Sequence, residues 1–364
     1  MYNLYKKAST LLLVFFFAIP YLCAQGLSEN LNEMLDNDPK DLPDSTLKKL
    51  IEYSTKNWQQ TVRSNLDSSL IYATKAAEYS KAIKNDSLLF HAYRRASNSL
   101  IELGKLDEAR EYCDKMFSLL KEDDYYAAYR YYTNLGLINN FEGKYQEALK
   151  NFLTSLEKAE AGNLVNNIPA AFGEISRVFN EMGQPLEALK YAKKDVAFTM
   201  DHGENRGKFI ANYNLANKYV ELDSFYQALE LYELADSIGN ILNIPIFISA
   251  LDLSKGRLYI EMGEADNALP FLNNAKDGME KAGDLRGLLT AQLHLGRAYN
   301  QLSRHNEAVT ILRETIEDLE SLDFKEVAQS TRQNYAEALY HSGNGLMAYE
   351  MLEEYRIIDD SIKS

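Results

Sequence analysis

The side chains best suited to binding chemistry in this sequence are asparagines and arginines that recur at intervals of about 40 residues. Asparagine carries a donor and an acceptor, so it can pair with a peptide backbone. Arginine makes bidentate hydrogen bonds to carboxylates. In a chain with 39 basic and 53 acidic residues and a net charge of −14, three aligned arginines would form a local positive stripe. The pattern predicts capture of a peptide or an anionic ligand by Asn98, Asn134, Arg177, Asn180, Asn214, Asn217, Arg257, His294, Arg297 and Asn300.

A second interpretation of the same residues stays open. Acidic residues recur one helical turn away, at Glu181, Glu221 and Glu261. Residues three or four apart on a helix face each other and form ion pairs. The arginines would then serve the structure of the protein and leave no charge for a ligand.

Motifs for catalysis or for metal binding do not occur. The five histidines show no H-E-x-x-H spacing, and only two cysteines, Cys23 and Cys113, are present. The G-x-G-x-x-A pattern at Gly343–Ala348 is expected to follow a helix, whereas a dinucleotide site needs a strand before it. We therefore expect no enzymatic activity, no cofactor and no metal ion. The acidic balance also argues against nucleic acid as a partner, because phosphate binding needs clustered basic residues.

The elements that must position the binding residues follow from an internal repeat. A small residue, usually within a Glu-Ala-Leu-like motif, recurs every 39 or 40 residues along the chain. Regular spacing over this length is typical of a repeat architecture in which each unit stacks on its neighbours. The small residue stands at Ser69, Ala109, Ala148, Ala188, Ala228, Ala268, Ala308 and Ala348.

Each repeat has the pattern of two helices joined by a tight turn. A second small residue precedes the first by twelve positions, as in Gly136, Gly256 and Gly296, and large apolar residues lie three or four positions from these sites. Such spacing places them on one helical face. Small residues let two helices approach closely, and the glycine between the helices suits a left-handed C-cap.

The residues Leu135-Gly136, Gly143, Tyr145, Ala148 and Phe152 resemble the signature of the tetratricopeptide repeat. The resemblance extends over residues 45–364 and implies an all-α fold, a right-handed superhelical solenoid of about eight antiparallel helix hairpins. It also implies a groove, lined by the first helix of each hairpin, that binds proteins or peptides. The 40-residue unit is longer than the usual one of about 34 residues. In this it is similar to the long-repeat sensor regions of bacterial regulatory proteins.

The N-terminal segment has the three zones of an export signal. Lys6 and Lys7 precede an apolar run from Thr10 to Ile19, and Ala24 provides a small residue for cleavage. The run is shorter than the roughly 20 residues that span a bilayer. We expect a signal peptide at 1–24, a polar linker at 25–44, and no membrane span in the mature chain. The expected location is the periplasm or cell envelope. Lipidation at Cys23 is the less favoured alternative, because Leu22 replaces the small residue that such signals prefer.

The last helix keeps an apolar face although the final helix of a solenoid usually carries a polar one. Met351, Leu352, Tyr355, Ile358 and Ile362 form this face. It predicts self-association, or packing against another domain. We therefore expect a non-enzymatic binding scaffold or a sensor-input module. The alternative is the extracytoplasmic sensor region of a signal-transduction protein whose kinase or transcription-regulator output lies elsewhere.

Overall fold

The computed structural model describes residues 63–320 and 325–363, together with the isolated helical residues Ser45, Lys48 and Lys49. The expected signal peptide, the whole of the expected linker at 25–44 and most of the expected first helix of the first repeat lie outside these residues. The described part is helical and contains no β-strand. Its helices are α1 (Arg63–Ala82), α2 (Asp86–Glu102), α3 (Leu106–Phe117), α4 (Tyr125–Phe141), α5 (Tyr145–Ala161), α6 (Ile168–Glu181), α7 (Pro185–His202), α8 (Asn205–Glu221), α9 (Phe225–Leu242), α10 (Pro245–Glu261), α11 (Ala265–Ala282), α12 (Leu285–Gln301), α13 (His305–Glu320), α14 (Lys325–His341) and α15 (Gly345–Lys363).

The described helices after α1 pair into hairpins, from α2–α3 to α14–α15, and this confirms the prediction of an all-α hairpin solenoid. The second helix of the first repeat is α1. The chain divides into two compact units, and the boundary between Phe198 and Thr199 lies within α7. The N-terminal unit is described from residue 63 to 198 and the C-terminal unit from 199 to 363.

Side-chain size decides how closely the two helices of a hairpin approach. The repeated small residues are fully buried or nearly so, with 3% exposure or less from Ser69 to Ala348. Opposite them, a Cβ atom added at Gly136 would lie 2.7 Å from the Phe152 ring. Leu272 and Leu312 fill the corresponding space at Gly256 and Gly296. The pairing of glycine with a large apolar residue therefore sets the separation of the two helices.

The turns between paired helices use the left-handed backbone region, as the sequence predicts. Asp223 and Ser303 occupy this region at φ values of 54° and 58° although they carry a Cβ. Glycine adopts such angles without steric cost. The other turns have glycine, at Gly104, Gly143, Gly183, Gly263 and Gly343, with φ between 71° and 89°.

The first helices of successive hairpins pack against one another within each unit. In the C-terminal unit α8 contacts α10, α10 contacts α12 and α12 contacts α14, while α2 contacts α4 in the N-terminal unit. Second helices pack against the first helix of the following hairpin, as α11 does against α12. The first helices thus form a continuous layer in each unit, and we call it the first-helix layer. In the described part of the chain, every helix is too short or too polar to cross a bilayer.

Candidate functional site

The ten predicted binding residues all lie on first helices, but they are divided between the two units. Asn98, Asn134, Arg177 and Asn180 lie on α2, α4 and α6 of the N-terminal unit. The C-terminal unit holds the other six on α8, α10 and α12: Asn214, Asn217, Arg257, His294, Arg297 and Asn300. The surroundings of each residue show which groups are available to a ligand.

Asn98 and Asn134 are used to join two first helices. The Nδ2 of Asn134 donates to Oδ1 of Asn98 at 2.7 Å, and it lies 3.5 Å from the backbone oxygen of Arg94. Both asparagines are buried, with exposures of 8% and 3%. Buried amide groups need hydrogen-bond partners, and these two satisfy each other. Their polar atoms therefore stabilise the contact between α2 and α4.

Arg177 forms an ion pair with Glu174, one turn earlier on α6. Its Nε donates to Glu174 Oε2 at 3.1 Å, and its side chain is 15% exposed. Of the acids that the second interpretation named, Glu181 lies one turn from Arg177, but Arg177 pairs with Glu174. Oε1 of Glu181 is buried without a hydrogen-bond partner among the described residues. Asn180 is half-buried, and the described residues offer its side chain no hydrogen bond.

Arg297 bridges two first helices in the C-terminal unit. Its Nη2 donates to Oε1 of Glu261 on α10 at 3.0 Å. Arg297 thus pairs with an acid that the second interpretation named, but across two helices and not along one helix as that interpretation expected. Its Nη1 lies 3.4 Å from Nδ1 of His294, which is 8% exposed. Burial holds the pKa of His294 well below 6.5, and the charges of Arg297 and Arg257 lower it further. His294 is therefore a neutral imidazole at pH 7.

Arg257 differs from Arg177 and Arg297. It is half-buried on α10 and forms no ion pair with any described residue. The positive charge of Arg257 lowers the pKa of His294. Burial raises the pKa of Tyr232, and the charge of Arg257 opposes that rise. On the neighbouring helix α8, Asn214 is half-buried and its side chain has no hydrogen bond within the described part of the chain. These two side chains can therefore accept a ligand without losing an internal partner.

The remaining predicted asparagines are engaged by the fold. Oδ1 of Asn217 accepts a hydrogen bond from the Tyr232 hydroxyl at 2.7 Å, within the α8–α9 hairpin. Asn300 donates to the backbone oxygen of Asn334 at 2.9 Å and so joins α12 to α14. Its exposure is 8%. Spacing alone could not separate these bonded amides from Asn214, because their partners lie on other helices.

Sequence reasoning missed a cluster of basic residues in the N-terminal unit. Arg94 and Arg95 lie on α2 beside Arg130 on α4, and Arg94 is 7% exposed. A signal was present in the sequence, because neither arginine of α2 has an acid three or four residues away on its own helix. No group of three or more potential metal ligands occurs among the residues that the structure describes.

Comparison with known families agrees with the repeat analysis. Residues 247–321 match the tetratricopeptide repeat family. The match covers helices α10 to α13, and with them Arg257, His294 and Arg297. The resemblance inferred from the repeated small residues and glycines is confirmed.

Curated relatives share only part of their length with this chain. Outer dynein arm-docking complex subunit 4 of Mus musculus is 28% identical over 151 residues, which are 41% of this chain and 24% of the mouse protein. The Homo sapiens protein of the same name is 25% identical over 205 residues, 55% of this chain and 30% of its own length. Tetratricopeptide repeat protein 29 of Trypanosoma brucei brucei is 22% identical over 166 residues, 44% and 34% of the two chains.

Solved structures with the same fold include two Rap proteins and a quorum sensor. The apo form of RapI aligns with a TM-score of 0.62 at 15% identity, covering 86% of this chain and 98% of RapI. A Rap protein complexed with Competence and Sporulation Factor gives 0.58 at 15% identity, with coverages of 87% and 89%. The quorum sensor NprR from B. thuringiensis, in its apo form, gives 0.52 at 12% identity, with coverages of 92% and 99%. Identities this low show a common fold and nothing more specific.

Proposed function

We propose that this chain is a non-enzymatic binding protein that captures a protein or peptide on the first-helix layer of its C-terminal unit. The observation that carries the proposal is Arg257, a half-buried guanidinium without an ion pair among the described residues of an acidic protein. The segment that matches the tetratricopeptide family includes this residue. A Rap protein of the same fold is complexed with Competence and Sporulation Factor, so the architecture accommodates a bound factor.

The chemistry of capture follows from the groups on three adjacent first helices. The planar guanidinium of Arg257 matches an aspartate, a glutamate or a C-terminal carboxylate in bidentate geometry. The free amide of Asn214 can donate to and accept from a peptide backbone. Arg297 contributes positive charge, but its guanidinium is already hydrogen-bonded to Glu261. Arg257 is therefore the anchor, and Asn214 orients the bound chain.

The test is a pull-down from a cell-envelope extract, followed by titration of a peptide from the captured partner. The variant is Arg257→Ala, and the matched control is Arg313→Ala, which removes an exposed arginine from the second helix α13. Removing a charged hydrogen-bond partner should weaken binding by about tenfold or more, while the control binds as wild type. Equal binding by wild type and Arg257→Ala would contradict the assignment of the site.

We further propose that the protein acts outside the cytoplasm, in the periplasm or cell envelope. Support comes from the sequence of residues 1–24 alone. The intact mass of the protein purified from cells is the measurement. Export predicts a chain that begins at Gln25, whereas lipidation would leave a chain that begins at a modified Cys23. A full-length chain recovered from the cytoplasmic fraction would contradict the proposal.

The last helix supports a second proposal, that α15 binds a second copy of the chain. Leu352 is 46% exposed, while its equivalents Cys113, Phe152, Tyr232, Leu272 and Leu312 are at most 1% exposed. Those equivalents pack against their own hairpin and the next one, as Leu272 does against Gly256 and in a cluster with Leu295 and Ala298. The described helices end with α15. Leu346, Met347 and Tyr349 add exposed apolar area on the same helix.

Light scattering during gel filtration tests this association. We expect a dimer for wild type and a monomer for the Leu346→Glu/Leu352→Glu variant, since a charge on an apolar interface is costly to bury. A monomeric wild-type protein would overturn self-association. It would favour the sensor-region alternative, in which this face packs against an output domain.

A further inference from the structure

Two first helices of the N-terminal unit carry a cluster of basic and aromatic side chains that the proposed function does not use. Arg94 and Arg95 lie one turn after His91 on α2, and Arg130 lies one turn after Tyr126 on α4. We call these five residues the α2–α4 cluster. None of them was among the predicted binding residues.

The geometry of the α2–α4 cluster is held by several contacts. Arg130 Nε donates to the Tyr126 hydroxyl at 3.2 Å, and its guanidinium lies 5.2 Å from the centre of the Tyr126 ring. The rings of His91 and Tyr126 are 5.9 Å apart. The hydrogen bond between Asn134 and Asn98 fixes the register of α2 against α4 next to these residues. The cluster is therefore positioned before any ligand arrives.

Arg94 has the most unusual environment of the five. It is 7% exposed, and its Nε is buried without a hydrogen-bond partner among the described residues. The described residues also include no ion-pair partner for Arg94 or Arg130, although other arginines of the chain, such as Arg110 and Arg177, have one. A buried guanidinium with an unsatisfied donor is costly unless an anion occupies the space beside it.

The charges of the α2–α4 cluster repel one another. Burial, together with the charges of Arg95 and Arg130, lowers the pKa of Arg94 to about 9. Burial and the charge of Arg130 lower that of Arg95 to about 10. Burial, followed by the three arginines, lowers the pKa of His91 to about 4, with Asp124 acting in the opposite direction. The arginines thus come close enough to destabilise one another's charged forms, in a chain whose net charge is −14.

We propose that the α2–α4 cluster binds a phosphate monoester. The guanidiniums of Arg94 and Arg130 and the Tyr126 hydroxyl offer donors on two helices, and the neutral His91 adds one more polar group. A phosphate monoester has three terminal oxygens and a charge between about −1.5 and −2 at pH 7, which suits several guanidiniums at once. A single carboxylate would compensate only one of the two guanidinium charges of Arg94 and Arg130. Four residues of the cluster are half-buried and so remain partly accessible to solvent: His91, Arg95, Tyr126 and Arg130.

The proposal concerns a separate site from the peptide-binding surface at Arg257, because the α2–α4 cluster belongs to the N-terminal unit. The phosphate could be carried by a phosphorylated side chain or by a small molecule. Both share the same recognised group, and the experiment separates them.

The experiment measures the thermal unfolding of the full chain in inorganic phosphate, in O-phosphoserine and in succinate, each against sodium chloride of equal ionic strength. We expect inorganic phosphate to raise the midpoint, because a ligand that binds only the folded state stabilises it. A further rise with O-phosphoserine, but not with serine, indicates a phosphorylated side chain. A rise with inorganic phosphate alone indicates a small phosphate. An equal rise with succinate would overturn the phosphate assignment.

Variants connect the effect to the α2–α4 cluster. In Arg94→Met an apolar side chain of similar length replaces the buried cation, so the midpoint without phosphate should equal or exceed that of wild type. The phosphate-dependent rise should be lost. Arg313→Met, at an exposed position on α13, should behave as wild type.

The milder variants Tyr126→Phe and Arg130→Gln guard against failure of Arg94→Met to fold. Each should weaken phosphate binding by about tenfold or more in titration calorimetry while keeping the helical content. A phosphate-dependent rise that persists in Arg94→Met and in both milder variants would overturn the proposal. So would a wild-type midpoint that responds to phosphate no more than to chloride.

Discussion

At the scale of single residues, the presence or absence of one carbon atom decides how the helices pack. Gly136 faces the ring of Phe152, a side chain with no exposed surface, and a Cβ there would lie 2.7 Å from the ring. Gly173, on α6 of the same unit, has no atom within 4 Å of an added Cβ. Both glycines lie inside helices, so they differ in their surroundings and not in backbone conformation.

This difference predicts opposite effects of the same substitution. Gly136→Ala should lower the free energy of unfolding by about 1–3 kcal/mol, because Phe152 must shift from a closely packed position. Gly173→Ala should raise it by about 0.5–1 kcal/mol, since alanine loses less backbone entropy in a helix. Urea denaturation followed by circular dichroism measures both. A destabilised Gly173→Ala variant would show that helix packing there depends on more than the space around the residue.

At the scale of helices, the contact between α9 and α10 contains a partly buried charge network. Lys255 on α10 is 5% exposed, and its Nζ lies 2.5 Å from Oδ2 of Asp236 on α9. Asp252, one turn before Lys255, is a second acid near the same cation. Burial raises the pKa of Asp252 to about 6; Lys255 opposes the rise and Asp236 adds to it. One lysine thus faces two carboxylates, and ionisation of the second is unfavourable in the folded state.

The network predicts how stability depends on pH. The folded state holds a proton on Asp252 more tightly than the unfolded state does, so this group makes the protein less stable as pH rises from about 4 to 6. Above pH 6 the penalty is complete. Asp252→Asn removes it, so the variant should melt at a higher temperature than wild type at pH 8, and the gain should disappear near pH 4.

The control for this prediction is Asp277→Asn, at an exposed position on α11. Its melting temperature should differ from that of wild type by a similar small amount at both pH values. A gain for Asp252→Asn that is equally large at pH 4 and pH 8 would contradict the linkage, because it would then reflect packing and not ionisation.

At the scale of the whole molecule, stability is assembled from contacts between neighbours along the chain. First helices pack on their own second helices, as α10 does on α11, and on first helices of the same unit, as α10 does on α12. The N-terminal and C-terminal units have separate sets of internal contacts. In repeat arrays of this kind, the free energy of unfolding is approximately a sum of repeat and nearest-neighbour contributions.

A destabilising substitution in one hairpin should therefore lower the stability of that hairpin and its neighbours only. Phe152→Ala removes a fully buried ring and should cost about 3–5 kcal/mol in its own hairpin. Hydrogen exchange followed by mass spectrometry should show faster exchange in α4, α5 and α6, with α12 to α14 unchanged. Leu153→Ala, at the neighbouring and 40% exposed position, is the control and should leave both regions protected. Uniform loss of protection across both units would contradict nearest-neighbour stability.

The sequence by itself determined the repeat architecture, because its signals are local and recur many times. Small residues at Ala148 and Ala228, glycine at the turn positions and apolar residues three or four apart follow from the geometry of one hairpin. Each hairpin repeats the same constraint, so a periodic pattern predicts the helices, their pairing and the tetratricopeptide resemblance. It also placed every candidate binding residue on a first helix.

Only the tertiary structure decided which of those side chains are free. Asn134 bonds Asn98 across 36 residues, whereas Asn214 finds no such partner among the described residues. Arg177 pairs with an acid of its own helix, Arg297 with one on the preceding first helix, and Arg257 with none of the described acids. A hydrogen bond depends on the distance between atoms on different helices, and spacing along the chain does not contain that distance. The α2–α4 cluster was missed in part for the same reason. The lack of nearby acids on α2 is visible in the sequence, but Arg130 joins Arg94 and Arg95 only when two helices pack.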